Sequence, residues 1–194
     1  FSHEGGPLED TWFEPEEPMY MLTASPENAP EKPAYVEINF KSGVPMALDG
    51  NKMSTAKLIS NLNALGGLHG IGRADVVENR LVGMKSHGIY ETPGGTILMR
   101  ALRELEALVL DKQSMQFKDM AALKYAELIY DGLWFTPLRE SLDSLINDMV
   151  KMVTGVVRLK LFKGNVIPAG RKSPNSLYRD DYANFGLGDV YEQY

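Results

Sequence analysis

The stretch from Gly72 to Leu98, GRADVVENRLVGMKSHGIYETPGGTIL, constrains the fold more than any other part of the chain. The apolar pairs Val76-Val77 and Leu81-Val82, followed by Ile89, are set between charges and glycines, a pattern that predicts short strands joined by tight turns. The stretch then runs through Thr92-Pro93 into a long amphipathic segment. Threonine at an N-cap with proline at the first helical position starts a helix. Three cations (Arg73, Arg80, Lys85), three acids (Asp75, Glu78, Glu91) and Tyr90 share this span. Charged groups on strands that feed a helix N-terminus can fix a small zwitterionic or anionic ligand. A hairpin with its polar face in water has the same spacing.

The flanks supply the rest of an α+β fold, with antiparallel hairpins and three to four helices packed on one side. Residues 1–34 read as an extended, acidic, proline-rich arm, because each proline restricts itself and its predecessor. Trp12, Phe13 and Tyr20 are its expected anchors, and FSHEGG its turn-like start. The domain proper is expected over 35–175, and residues 176–194 form a truncated tail held by Tyr178, Tyr182 and Phe185. Strict alternation over Tyr35–Phe40 predicts one hairpin with a return strand at Val44–Leu48, where Pro45 demands an edge or first position. Val157, Leu159 and Leu161 predict a second, turning at Lys163-Gly164. A helix is expected over 54–65, with Ala56, Ile59, Leu62 and Leu65 inward and Gly66-Gly67 closing it. The next is expected over 93–109, with Glu106 facing solvent. A helix over 115–130 and one from Thr136-Pro137 carry methionine and leucine stripes that read as core.

Composition excludes several functions. A net charge of -6 argues against general nucleic-acid or anionic-membrane binding. No apolar run approaches the roughly 20 residues of a membrane span. With no cysteine, disulfides, thiolate metal sites and cysteine nucleophiles are ruled out. His3, His69 and His87 are scattered. The glycines of GGLHGIGR follow a helix and precede a strand, the reverse of the order a phosphate- or dinucleotide-binding loop needs, and so have a turn role.

Ser86 and His87 are neighbours on a strand and point to opposite faces, so they cannot form a nucleophile–base pair. Asp180-Asp181 lacks further metal ligands at a suitable spacing. Glu78 and Tyr90 are the better pair: a carboxylate and a phenol on adjacent strands can both accept from a ligand's ammonium group. A structural ion pair of Glu78 with Arg80 or Arg73 is the competing reading.

VENRLVGMKSHGIYETPGGTIL closely resembles the signature stretch of the argininosuccinate synthase family, in its C-terminal catalytic and multimerisation domain. SHEGGPLED, GGLHGIGRADVVENR, LKYAELIYDGLWFTPLRE, GVVRLKLFKGNV and RKSPNSLY resemble that family in the same order, so the resemblance spans essentially the whole chain. It implies a carbon–nitrogen ligase that joins citrulline and aspartate using ATP (with Mg2+), through a citrulline adenylate, and releases AMP and pyrophosphate. It implies citrulline contacts at Ser2, Glu78 and Tyr90, with no metal or cofactor site in this segment. It also implies a cytoplasmic protein of arginine biosynthesis and the urea cycle, with a homotetramer as the complete enzyme. The family's SGGxDTS pyrophosphate loop and its aspartate-binding part are absent from this sequence, which resembles roughly the C-terminal half. The isolated chain is therefore expected to be inactive. His87 stands where the family usually has arginine. The alternative is a non-catalytic binding or assembly module that has kept this fold.

Overall fold

The computed structural model describes residues 1–179. Alternation at Tyr35–Phe40 builds β2 (Ala34–Lys41), which pairs on one side with β3 (Val44–Leu48) and on the other with β7 (Gly155–Phe162). A two-residue β4 (Asn51–Lys52) and β8 (Asn165–Lys172) complete an antiparallel sheet of order β4-β3-β2-β7-β8. Pro45 sits where β3 has no outer neighbour, because β4 reaches only Ala47 and Leu48. The missing proline N–H therefore leaves no gap in the ladder.

Register aligns Val36 with Leu159 and Ile38 with Val157, and all four side chains are buried on one face. Two helices cover that face: α1 (Thr55–Leu68) and α2 (Pro93–Val109). Leu58 and Leu62 of α1 meet Ile97, Ala101 and Leu105 of α2 over the strands. Each such side chain taken from water contributes about 1.5–3 kcal/mol, so this layer is the chief source of stability.

Several expectations change. The inward stripe of α1 runs through Leu58 and Leu62, with Ala56 and Ile59 exposed. Gly66 and Gly67 do not close the helix but lie buried inside it. A Cβ on Gly66 would come within 2.8 Å of Ile97 Cδ1, and one on Gly67 would overlap the Leu22 carbonyl. They are glycines so that α2 and the N-terminal segment can touch the helix. Glu106 is buried rather than solvated, with Lys118 Nζ 3.0 Å away.

The third and fourth helices, α3 (Lys112–Tyr130) and α4 (Pro137–Met149), pack on each other. Their stripes are core only in part: Ile146 of α4 packs against the main core, but Leu123 of α3 is 76% exposed, and Met120 and Ile129 are exposed too. Only Ala121 and Leu128 of α3 are buried.

The arm is pinned by only some of the residues expected. Trp12 is 94% exposed, whereas Leu8 is completely buried and Ala29 nearly so. Tyr20 does serve as an anchor, beneath the Arg73 guanidinium at 3.8 Å from the ring centroid. In the tail, Tyr178 is exposed. Tyr182, Phe185 and the pair Asp180-Asp181 lie outside the described residues. Among the described residues no helix is long and apolar enough to cross a membrane.

Candidate functional site

The central stretch folds as expected into a hairpin, β5 (Arg73–Asn79) and β6 (Lys85–Glu91), turning at Gly83 in the left-handed region. Residues 2–4, read from sequence as a turn, are instead a third strand, β1 (Ser2–Glu4), paired antiparallel to β6. The sheet order is β1-β6-β5.

Register decides what meets. Ser2 lies opposite Tyr90, and Tyr90 lies opposite Ala74 on β5. Glu4 lies opposite Gly88, and Glu78 opposite Ser86. Directly opposed residues share a face and faces alternate along each strand. Ser2, Glu4, Glu78, Ser86 and Tyr90 therefore share one face, and Ser2, Glu78 and Tyr90 are brought together from three strands.

On that face the Tyr90 hydroxyl donates to Glu78 Oε1 at 2.9 Å, with Glu4 Oε1 at 3.5 Å. Burial, and then the Glu78 carboxylate beside it, push the phenol up to about 12. The ion pair of Glu78 with Arg73 or Arg80 is not formed. Arg73 binds Glu17 at 2.7 Å and 3.0 Å, and Arg80 binds Glu4 while its Nε donates to Ser86 at 3.0 Å. Glu78 is thus held by a neutral phenol, which leaves its negative charge available to a ligand cation. A groove of about 520 Å3, lined in part by Glu4, Glu9, Thr11, Arg80 and Lys85, opens beside this face.

The opposite face is structural. His87 is buried, with Nδ1 2.7 Å from the Leu8 carbonyl and Nε2 2.6 Å from Asp75 Oδ1. A carbonyl only accepts, so Nδ1 donates; a carboxylate accepts too, so both nitrogens are best satisfied as the imidazolium. The hydrogen bond to Asp75 raises the His87 pKa. Ser86 and His87 indeed serve separate faces. Glu91 is 1% exposed and accepts from Met21 N at 2.7 Å, Leu22 N at 2.9 Å and Thr23 Oγ1 at 2.5 Å. Burial pushes its carboxyl up, but these donors outweigh burial and hold it below the usual range.

Thr92-Pro93 starts α2 as expected, yet the N-cap bond comes from elsewhere. The Thr92 side chain does not cap; Asn63 of α1 accepts from Gly94 N at 2.8 Å. Pro93 and Gly94 are buried, so the first turn of α2 faces α1 rather than a ligand. Among the described residues no cluster of three metal-ligating side chains occurs.

Sequence reasoning missed Glu4, Asp75 and Glu91 as partners. The signal for Glu4 was its place two residues after Ser2, which in a strand puts both on one face. Asp75 had a signal as well, since it lies 12 residues from His87 on the same hairpin, as Glu78 does from Tyr90, whereas Glu91 had none, because its partners lie about 70 residues away.

The family model described as the arginosuccinate synthase C-terminal domain matches residues 1–194. The chain is 62% identical, over 99% of its length, to an argininosuccinate synthase of Carboxydothermus hydrogenoformans, of which it covers 48%. It is 57% identical to one of Caldanaerobacter subterraneus (99% of this chain, 47% of that protein). It is 56% identical to a chloroplastic one of Arabidopsis thaliana (99% and 39%). The chain spans about half the length, or less, of these relatives.

Proposed function

The chain belongs to the argininosuccinate synthase family, as its C-terminal domain, and from that premise we propose that it supplies the citrulline-binding half of the enzyme. One observation carries the assignment: Ser2, Glu78 and Tyr90 converge on one face of the β1-β6-β5 sheet, with Glu78 paired to a phenol instead of a cation. An ammonium group has three donors and no acceptor. The two oxygens of Glu78, the lone pairs of Tyr90 and the Ser2 hydroxyl provide acceptors for it, and Glu78 adds the opposite charge.

In this reading citrulline is held by its α-amino group while its ureido oxygen attacks the α-phosphate of ATP. Pyrophosphate leaves, and the aspartate amine then displaces AMP to give argininosuccinate. The residues of this chain bind and orient; they do not move protons in the chemical steps. Orientation alone contributes several kcal/mol to such a reaction. ATP with its Mg2+ and aspartate are assigned to the nucleotide-binding half that the family carries in addition, and the working assembly to a cytoplasmic homotetramer.

The test is calorimetric titration of citrulline into this chain, and into the full-length synthase containing it, beside Glu78→Ala. Loss of a desolvated carboxylate–ammonium pair costs about 2–5 kcal/mol, so affinity is expected to fall at least about thirtyfold. An unchanged affinity in Glu78→Ala refutes the assignment.

A further inference from the structure

We infer that Glu4 is a positioning residue of the ammonium site, acting through Tyr90 as the second acceptor for its hydroxyl proton; this rests on the citrulline reading above. Glu4 divides its two oxygens. Oε2 is taken by the Arg80 guanidinium, and Oε1 faces the Tyr90 hydroxyl at 3.5 Å. Arg80 is itself fixed by its Nε bond to Ser86, so the carboxylate is tethered on the side away from the phenol.

The backbone makes room for this arrangement. Glu4 lies opposite Gly88 on β6, and a Cβ there would stand 2.9 Å from Glu4 Cγ and 3.3 Å from the His3 carbonyl. Any side chain at 88 would therefore push Glu4 off the path that leads to Tyr90. Gly88 has no left-handed backbone that would require glycine on its own account, so the close approach of Glu4 is the reason for it.

The consequence follows from counting donors and acceptors. Without ligand, the single phenolic proton goes to Glu78 at 2.9 Å and occupies one of its acceptor sites. When an ammonium group docks on Glu78, the hydroxyl can rotate its proton to Glu4. Both oxygens of Glu78 then face the cation, and the phenol oxygen accepts as well. No proton changes owner; one hydrogen bond is exchanged for another. In Glu4→Gln the amide oxygen is claimed by Arg80, which leaves an NH2 group facing Tyr90, and the second acceptor is lost.

The test is steady-state kinetics in the full-length synthase that carries this chain, with Glu4→Gln and Gly88→Ala, each also made in a Tyr90→Phe background. Loss of one hydrogen-bond acceptor predicts a citrulline KM raised about tenfold. KM for ATP and aspartate stay unchanged in both variants, and the melting temperature stays unchanged in Glu4→Gln; in Gly88→Ala it falls, because the new Cβ also meets the His3 carbonyl at 3.3 Å. In the Tyr90→Phe background Glu4→Gln should add nothing further. An unchanged citrulline KM in Glu4→Gln overturns the inference. So does an effect that persists without the Tyr90 hydroxyl, or one that shifts all three KM values with the melting temperature. Glu78→Ala is run alongside: if citrulline KM is indifferent to Glu78, the citrulline reading itself falls, and the two failures are told apart.

Discussion

Replacing Glu91 by glutamine removes a charge from the place where the N-terminal segment docks on the site sheet. The carboxylate uses Oε2 for Met21 N at 2.7 Å, and Oε1 for Leu22 N at 2.9 Å and Thr23 Oγ1 at 2.5 Å. Glutamine can keep its carbonyl oxygen at the Oε1 position, but its NH2 group then faces the Met21 N–H, donor against donor. The Met21 bond is lost, worth about 1.5–3 kcal/mol when the acceptor is charged, and the other two become neutral and weaker. The sum is about 3 kcal/mol. For a chain of this size 1 kcal/mol moves the melting temperature by roughly 2–4 °C, so Glu91→Gln is expected to melt about 6–12 °C lower at pH 7. The assay is thermal unfolding followed by circular dichroism across pH. Because the folded pKa of Glu91 is depressed, its contribution is present above the ordinary value of 4.5 and is lost as pH falls through the folded value. The gap between the two proteins should therefore be constant from pH 6 to 8 and close in acid. A shift below about 2 °C at pH 7, or a gap that widens in acid, would refute the reasoning.

Three further outcomes are expected. Gly67→Ala would force a methyl group onto the Leu22 carbonyl and cost at least about 2–3 kcal/mol, read as a lowered urea midpoint. The His87–Asp75 pair has a raised folded pKa on His87, so its stabilisation is complete below the ordinary value of 6.5 and is lost as pH rises through the folded value. The urea midpoint of the native chain should accordingly fall between neutral and mildly alkaline pH, and that of His87→Arg should not, because arginine does not titrate there. Leu123→Glu, at an exposed position on α3, should change stability by no more than about 0.5 kcal/mol. If the bare face of α3 drives self-association, the substitution should also lower the sedimentation coefficient at high concentration.

Local signals in the sequence were sufficient wherever the structure is set by neighbours along the chain. Alternation at Tyr35–Phe40 and Val157–Leu161 became β2 and β7, Thr-Pro pairs opened α2 and α4, and Lys163-Gly164 turned the last hairpin. The Glu78–Tyr90 contact was legible too, because two strands joined by a short turn have few registers open to them. The resemblance placed Ser2 with them, but it is the pairing of β1 with β6 that sets Ser2 beside Tyr90.

What the amino-acid sequence determined by itself was the identity and order of the four helices and of the strands in the three hairpins, since φ/ψ preference and hydrophobic period act over a few residues; the short β1 and β4 carried no such local signal. Only the tertiary structure decided which apolar stripes became core, that Gly66 and Gly67 serve contacts rather than a helix end, and that Glu91 and Glu106 are buried. It alone also gave His87 two acceptors and seated Glu4 across Gly88 toward Tyr90. Those outcomes depend on groups brought in from far along the chain. A carboxylate is buried only where donors from another segment satisfy it, and a leucine is core only where something covers it.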